Sequence, residues 1–199
     1  IEIFGENDGS FDNNDYILFY GQSTDYWKND QNSVIPLEHQ MHYFSDTSFY
    51  FITIDLGAGK RIANQNSLSN SPNTTTTSQD FYGFHEQNLV NVVKSGRELY
   101  GEKFDLNTYY TFSFPIPDAV IGDSVYVKAG ALSRCNSTSS YLVNFNTGSF
   151  TFTCASTNIN SYLADVGYYG ENAKGGILNS SYLTVTVSKQ TSVATGWLD

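Results

Sequence analysis

Residues 141–154 read YLVNFNTGSFTFTC. Tyr141, Val143 and Phe145 fall on one side of an alternating run, and Phe150, Phe152 and Cys154 on one side of the next. Asn146-Thr147-Gly148 between them has the composition of a turn. A period of two belongs to strands, whose successive side chains point to opposite faces. The pattern recurs on either side of this pair. Tyr110, Phe112 and Phe114 oppose Thr111 and Ser113; Val125, Val127 and Ala129 alternate with Ser124, Tyr126 and Lys128; Leu183, Val185 and Val187 close the series. One apolar and one polar face is the mark of antiparallel sheet. Strands at this spacing predict an all-β fold, an antiparallel β-sandwich of jelly-roll-like kind.

Composition agrees. The chain has 199 residues with 15 Tyr and 14 Phe, a surplus that favours strand. That length can bury a proper core. The formal net charge is −10 and there are ten Lys and Arg in all. Without a basic cluster there is no footprint for nucleic acid, whose binding draws on phosphate contacts. No apolar run reaches the roughly 20 residues that span a bilayer. Ile1-Glu2-Ile3-Phe4 already reads as strand and the sequence stops at Trp197-Leu198-Asp199, so it reads as a piece of a longer protein.

In the first half, Ile1–Phe4 and Tyr16–Tyr20 read as strands around an acidic loop. In an EF-hand register Asp8 takes position 5, Gly9 position 6, Asp12 position 9 and Asp15 position 12, which would hold calcium. Phe4 falls at position 1, where an oxygen ligand belongs. The other reading is a plain hairpin turning at Asn7-Asp8-Gly9. Residues 22–41 are polar and irregular. Both alternating faces of Phe49-Tyr50-Phe51-Ile52-Thr53-Ile54 are apolar, which predicts a central strand covered on both sides. Gly57-Ala58-Gly59-Lys60 lacks the first Gly and the Ser or Thr of a phosphate loop. Residues 64–78, with four consecutive threonines, read as an exposed loop.

Residues 85–104, HEQNLVNVVKSGRELYGEKF, break the alternation. Leu89, Val92 and Val93 stand at i, i+3 and i+4, and Gly96 is a helix stop, so the spacing predicts one short helix near residues 85–95. The whole then reads as one β-rich domain over 1–199, with sub-halves 1–84 and 105–199 joined by 85–104.

Four stretches carry a resemblance. Asp8-Gly9 with Asp15-Tyr16-Ile17-Leu18-Phe19-Tyr20-Gly21-Gln22, then Tyr43-Phe44-Ser45-Asp46-Thr47-Ser48-Phe49-Tyr50-Phe51, then Ser95-Gly96-Arg97-Glu98-Leu99-Tyr100-Gly101-Glu102-Lys103-Phe104, and finally Gly196-Trp197-Leu198-Asp199. In that order they resemble the region ahead of the peptidase domain in type IX secretion system sortases of the PorU type. These are large gingipain-like cysteine peptidases of the bacterial surface. The resemblance implies an exported, non-catalytic accessory domain at the cell surface, outer membrane or periplasm. Its partners would be the downstream peptidase domain of the same chain and type IX components or cargo. Arg97, Glu98, Tyr100 and Glu102 carry it most strongly, either as an interface to the peptidase domain or as an internal ion-paired support.

Cys135 and Cys154 are the only cysteines and form no CxxC. A disulfide between them suits an oxidising compartment, which the family implies; two buried thiols are the other reading. The family's catalytic His precedes Gly, whereas His39, His42 and His85 precede Gln40, Tyr43 and Glu86. The interval from His85 to Cys135 matches that of caspases, but Ser133-Arg134-Cys135-Asn136-Ser137 lacks their signature. Glu98 and Glu102 read as local ion-pair partners of Arg97 and Lys103 before they read as a glycosidase pair. His39 and His42, at i and i+3, lack a third metal ligand of standard spacing. The alternative to an accessory domain is a carbohydrate-binding β-sandwich, suggested by the Tyr and Trp content and the acidic loop.

Overall fold

The computed structural model describes residues 1–199 apart from positions 31, 34, 36, 43, 54, 55, 58, 95 and 97. Its strands in chain order are β1 (Glu2–Phe4), β2 (Tyr16–Leu18), β3 (Tyr26–Asn29), β4 (Leu37–Gln40), β5 (Lys103–Phe104), β6 (Tyr109–Pro115), β7 (Ser124–Arg134), β8 (Ser139–Phe145), β9 (Gly148–Cys154), β10 (Tyr168–Ile177), β11 (Tyr182–Lys189) and β12 (Thr195–Leu198). The last eight make two four-stranded antiparallel sheets, ordered β6-β11-β8-β9 and β10-β7-β12-β5.

That order is a rolled hairpin. The β8–β9 hairpin is the innermost pair, and β7 with β10, β6 with β11, and β5 with β12 are laid down outside it in turn. Nested antiparallel pairs curled into two facing sheets are a jelly roll, as the alternation predicts. The inward positions are those the pattern marks: Tyr141, Val143, Phe145, Phe150, Phe152, Cys154, Leu183, Val185 and Val187 all lie in one buried cluster with Phe104, Val127, Ala131 and Leu198. Tyr141 stacks on Phe152 with ring centroids 5.0 Å apart and meets the edge of Phe104 at 5.4 Å. Such ring pairs add to the stabilisation that their burial supplies.

One edge of the sandwich is closed by close approach. A Cβ on Gly170 of β10 would lie 2.2 Å from the Thr153 carbonyl oxygen of β9. The strands touch there because Gly has none. Asn172 and Lys174 of β10 then donate to the Thr151 and Ser149 carbonyls at 2.9 and 2.8 Å.

The first hundred residues depart further from expectation. β1 pairs with β2 and β3 with β4, each as a separate two-stranded ribbon. The central strand expected at 49–54 does not form over the described positions 49–53. Phe49, Tyr50, Phe51 and Ile52 are exposed instead, Phe51 at 94%. Position 54 lies outside the described residues. The roll leaves this segment no partner, because its pairs nest only among β5–β12.

The helix expected near 85–95 is also absent among the described residues. Val90 and Tyr100 form an antiparallel bridge, with Val90 N–H donating to the Tyr100 carbonyl and Tyr100 N–H to that of Val90, both at 2.9 Å. Lys94 and Gly96, with φ of 54° and 71°, turn the chain between them. Leu89, Val92 and Val93 do have helical spacing, yet only Val92 finds a buried surface, while Leu89 stays 60% exposed. A short helix gains most of its stability from a packed apolar face, and Val-Asn-Val-Val has weak intrinsic preference for one.

The close approach at Gly170 predicts that Gly170→Val lowers stability by about 1–3 kcal/mol through overpacking. Urea denaturation read by far-UV circular dichroism checks it.

Candidate functional site

β12 runs between β7 and β5, with Trp197 opposite Leu132 on one side and Lys103 on the other. Alternation sends Leu198 into the main core and Trp197 to the outer face of the sheet. On that face Trp197, Leu132 and Tyr100 form a second buried cluster, with Val92 against it. Tyr100 comes from a strap over residues 85–102 whose described residues form no regular strand or helix. Beyond the β5 rungs the strap continues the ladder: Gly101 N–H donates to the Leu198 carbonyl at 2.8 Å, and Leu198 N–H to that of Glu102 at 3.0 Å. Gly196 is small for a reason. A Cβ there would stand 1.9 Å from the Tyr141 hydroxyl.

The strap's charged groups are held at this seam. His85 Nε2 and Glu102 Oε1 are 2.8 Å apart, and the His85 ring lies 4.1 Å from that of Phe112. Glu102 Oε2 is buried with no hydrogen-bond partner among the described residues. The Tyr100 hydroxyl donates to Glu98 Oε2 at 3.4 Å; burial, with the nearby Glu98 charge, pushes its pKa up to about 12. Burial also raises the Glu86 carboxyl, helped by the negative charges of Asp199 and Asp25. Further out, Lys128 of β7 bridges Glu38 of β4 and Glu171 of β10, the latter at 2.9 Å. Burial opposes the Lys128 charge, but the two carboxylates outweigh it and hold its pKa above the usual lysine value.

Of the residues singled out in sequence, Glu98, Tyr100 and Glu102 therefore meet at one seam with Gly196-Trp197-Leu198, and Arg97 lies outside the described residues. The expected local pairing of Glu102 with Lys103 is replaced: Glu102 takes His85, and Lys103 takes Asp105 at 2.7 Å. His85 and the Lys128 bridge had no signal in the sequence, since their partners stand 17 to 90 residues away.

The acidic loop does not assemble a metal set. Asp8 Oδ1 accepts from Ser10 N–H and hydroxyl at 2.9 and 3.0 Å, Asp12 Oδ1 from Asn14 N–H at 3.2 Å, and Asp15 Oδ2 from Asp12 N–H at 2.9 Å. Each carboxylate is turned onto its own stretch of backbone, the side-chain turn that Asp makes readily. Among the described residues no three His, Cys, Asp or Glu side chains are grouped to hold a metal. His39 and His42 are likewise apart in role: His39 stacks on Phe84 at 3.7 Å, while His42 Nδ1 accepts from Phe44 and Ser45 N–H at 3.2 Å.

Both cysteines are buried and stand as free thiols in this structure. The residue opposite Cys154 on β8 is Ser139, and the Cys154 thiol donates to the Ala131 carbonyl at 3.3 Å. Cys135 lies just beyond the end of β7, its carbonyl accepting from Thr157 N–H at 2.7 Å. Cys135 Sγ lies 3.4 Å from the Ser137 hydroxyl; burial opposes its ionisation, but hydrogen bonds from Ser137, Ser139 and the neighbouring backbone bring its pKa below the ordinary thiol value. Burial pushes Cys154 up to about 11.

No family profile matches the chain, and no curated protein does. Among solved structures it is similar to dimeric latent PorU from Porphyromonas gingivalis. The identity is 22% over 58% of this chain and 11% of that chain, with a TM-score of 0.49. The chain thus spans about a tenth of the length of that protein.

Two outcomes follow from the buried groups. His85→Ala strands the Glu102 carboxylate and is expected to cost about 1–3 kcal/mol; adding Glu102→Gln should recover part of that loss, as a double-mutant cycle in urea would measure. The Cys154 thiol is neutral in both states below pH 9. Above that the unfolded chain ionises and the folded one does not, so its contribution to stability falls as pH rises from about 9 to about 11. Urea midpoints across that range should decline, and less steeply in Cys154→Ala.

Proposed function

We propose that this jelly roll is a non-catalytic accessory domain of a gingipain-like cysteine peptidase of the PorU sortase type, one that matures and anchors type IX cargo at the bacterial surface. One observation carries the reading. Two of the stretches that bear the family resemblance, 95–104 and 196–199, are separated by about ninety residues of sequence and meet in a single seam, β5 with the strap against β12. A resemblance that falls on the pieces closing a fold supports a shared domain over a chance likeness of short words.

The seam also supports a supporting role. By resemblance, Trp197-Leu198-Asp199 leads toward the peptidase region. A strand paired on both sides and pinned by Trp197 fixes the direction of whatever follows it, which is how a sandwich can position a neighbouring domain. Peptidase chemistry calls for a thiolate, a base and an oxyanion site. Cys154 sits in the core with its pKa raised, and Cys135 sits among serine hydroxyls. His85, the histidine of the seam, is engaged by Glu102 and Phe112. In this reading cargo cleavage belongs to the downstream domain. Among the described residues no helix is long and apolar enough to cross a membrane, and attachment at the surface would fall to the larger protein.

The test is made in the full-length protein. Deletion of the jelly roll with the peptidase region intact, and separately Trp197→Ala to loosen the seam, should leave immature cargo accumulating at matched protein level. Normal cargo processing and surface attachment in the deletion strain would overturn the supporting role. Hydrolysis of peptide substrates by the isolated chain would overturn the non-catalytic one.

A further inference from the structure

The β1–β2 ribbon is mixed on one face and apolar on the other. On the mixed face Phe4 stacks on Tyr16 at 4.2 Å and Glu2 stands opposite Leu18. On the other, Ile17 and Phe19 join Ile1, Tyr50, Ile52 and Ile62 in lining a groove of about 400 Å³. Phe19, Tyr50, Ile52 and Ile62 are all exposed. The floor is held together from outside the ribbon: Ile62 N–H donates to the Ile1 carbonyl at 2.9 Å, and the Tyr50 hydroxyl to the Gln22 carbonyl at 2.7 Å. β2 pairs with β1 alone among the described residues, so its outer edge is open.

A two-stranded ribbon is marginal in water, and an apolar patch of this extent on one side of an open edge marks an interaction site. The charge around it selects the occupant. Residues 1–20 carry Glu2, Glu6, Asp8, Asp12 and Asp15 and no Lys or Arg. Lys60 and Arg61 are the cations on the adjoining stretch, and Arg61 is already held by Glu6 at 2.7 Å. We propose that the open edge of β2 and its groove bind an extended, cationic amphipathic segment of a partner protein. It would add as a third strand, with alternate apolar side chains in the groove and Lys or Arg on its other positions toward the acidic loop. Main-chain bonds along an edge supply affinity in this mode, and the alternate side chains supply selectivity. The inference stands apart from the accessory role proposed above.

The probe is a short fluorescein-labelled peptide alternating Lys and Val, followed by anisotropy against the whole chain. Peptides alternating Glu with Val, and Lys with Gly, serve as controls. The Lys–Val peptide should bind roughly tenfold or more tightly than either control, a difference that one good contact provides, and added salt should weaken it. Ile17→Ser with Phe19→Ser should abolish the preference while the melting of the sandwich, whose core lies elsewhere, is unchanged; Tyr126→Ser on the distant sheet should leave it intact. Equal binding of the Glu–Val peptide would overturn the charge argument, and equal binding of the Lys–Gly peptide the groove. A dimer by light scattering that Ile17→Ser with Phe19→Ser dissolves would also overturn the proposal, since a second copy would then be the occupant.

Discussion

β12 lies between β7 and β5, and the rest of the molecule depends on that placement. In a rolled hairpin each pair lies outside the one before it in sequence, so the outermost pair closes the longest loop. Lys103 opposite Trp197 is the outer rung of that pair, and it joins residues more than ninety positions apart. It is also what fixes the strap. Gly101 and Glu102 continue the ladder along Leu198, and Tyr100 is thereby set over Leu132 and Trp197. Long-range pairings of this kind give their stabilisation late, after the loop-closure entropy has been met. The seam is therefore cooperative with the whole roll rather than a local feature of it.

The same placement decides the electrostatics. Covering the outer face of a sheet with an irregular strap brings polar backbone and charged side chains to low-dielectric positions, where unpaired groups are costly. The strap meets that demand largely from within itself: His85 on Glu102, and Tyr100 on its near neighbour Glu98. Lys128 meets it for the β3–β4 ribbon, reaching Glu38 across ninety residues. Glu102 Oε2 is left without a partner among the described residues, and this makes the His85 pairing the more consequential one.

Legibility from sequence followed the range of the interactions. Strands β6, β8, β9 and β11 were plain because alternation is local, and each inward residue it marked is buried or packed on the core. Their nesting into a jelly roll could be expected in kind from spacing. Residues 85–95 were misread because helical spacing in Leu89, Val92 and Val93 says nothing about whether a surface exists to receive all three. Phe49–Ile52 were misread for the converse reason: an apolar stretch becomes a central strand only if two partners remain free. Asp8, Asp12 and Asp15 have the residue types of a calcium loop, and Asp also bonds readily to its own stretch of backbone, as each does here. Cys135 and Cys154 carry no local signal that says whether they pair, and strand register sets Ser139 opposite Cys154.

The residues most recognisable in sequence turn out to be those that close the fold. Gly196 admits the Tyr141 hydroxyl, Trp197 anchors the outer cluster, Leu198 enters the core, and Tyr100 with Glu102 bind the strap to all three. None of these positions tolerates a free choice of side chain, because each answers to a neighbour distant in sequence and close in space. A nucleophile needs the opposite setting, an accessible thiolate with a base beside it. Cys154, the most deeply buried thiol, has a carbonyl oxygen beside it instead. The chemistry of this seam is thus that of a joint within the fold: paired backbone on both sides of a short strand, one aromatic wedge, and a half-buried hydrogen bond between His85 and Glu102 at its margin.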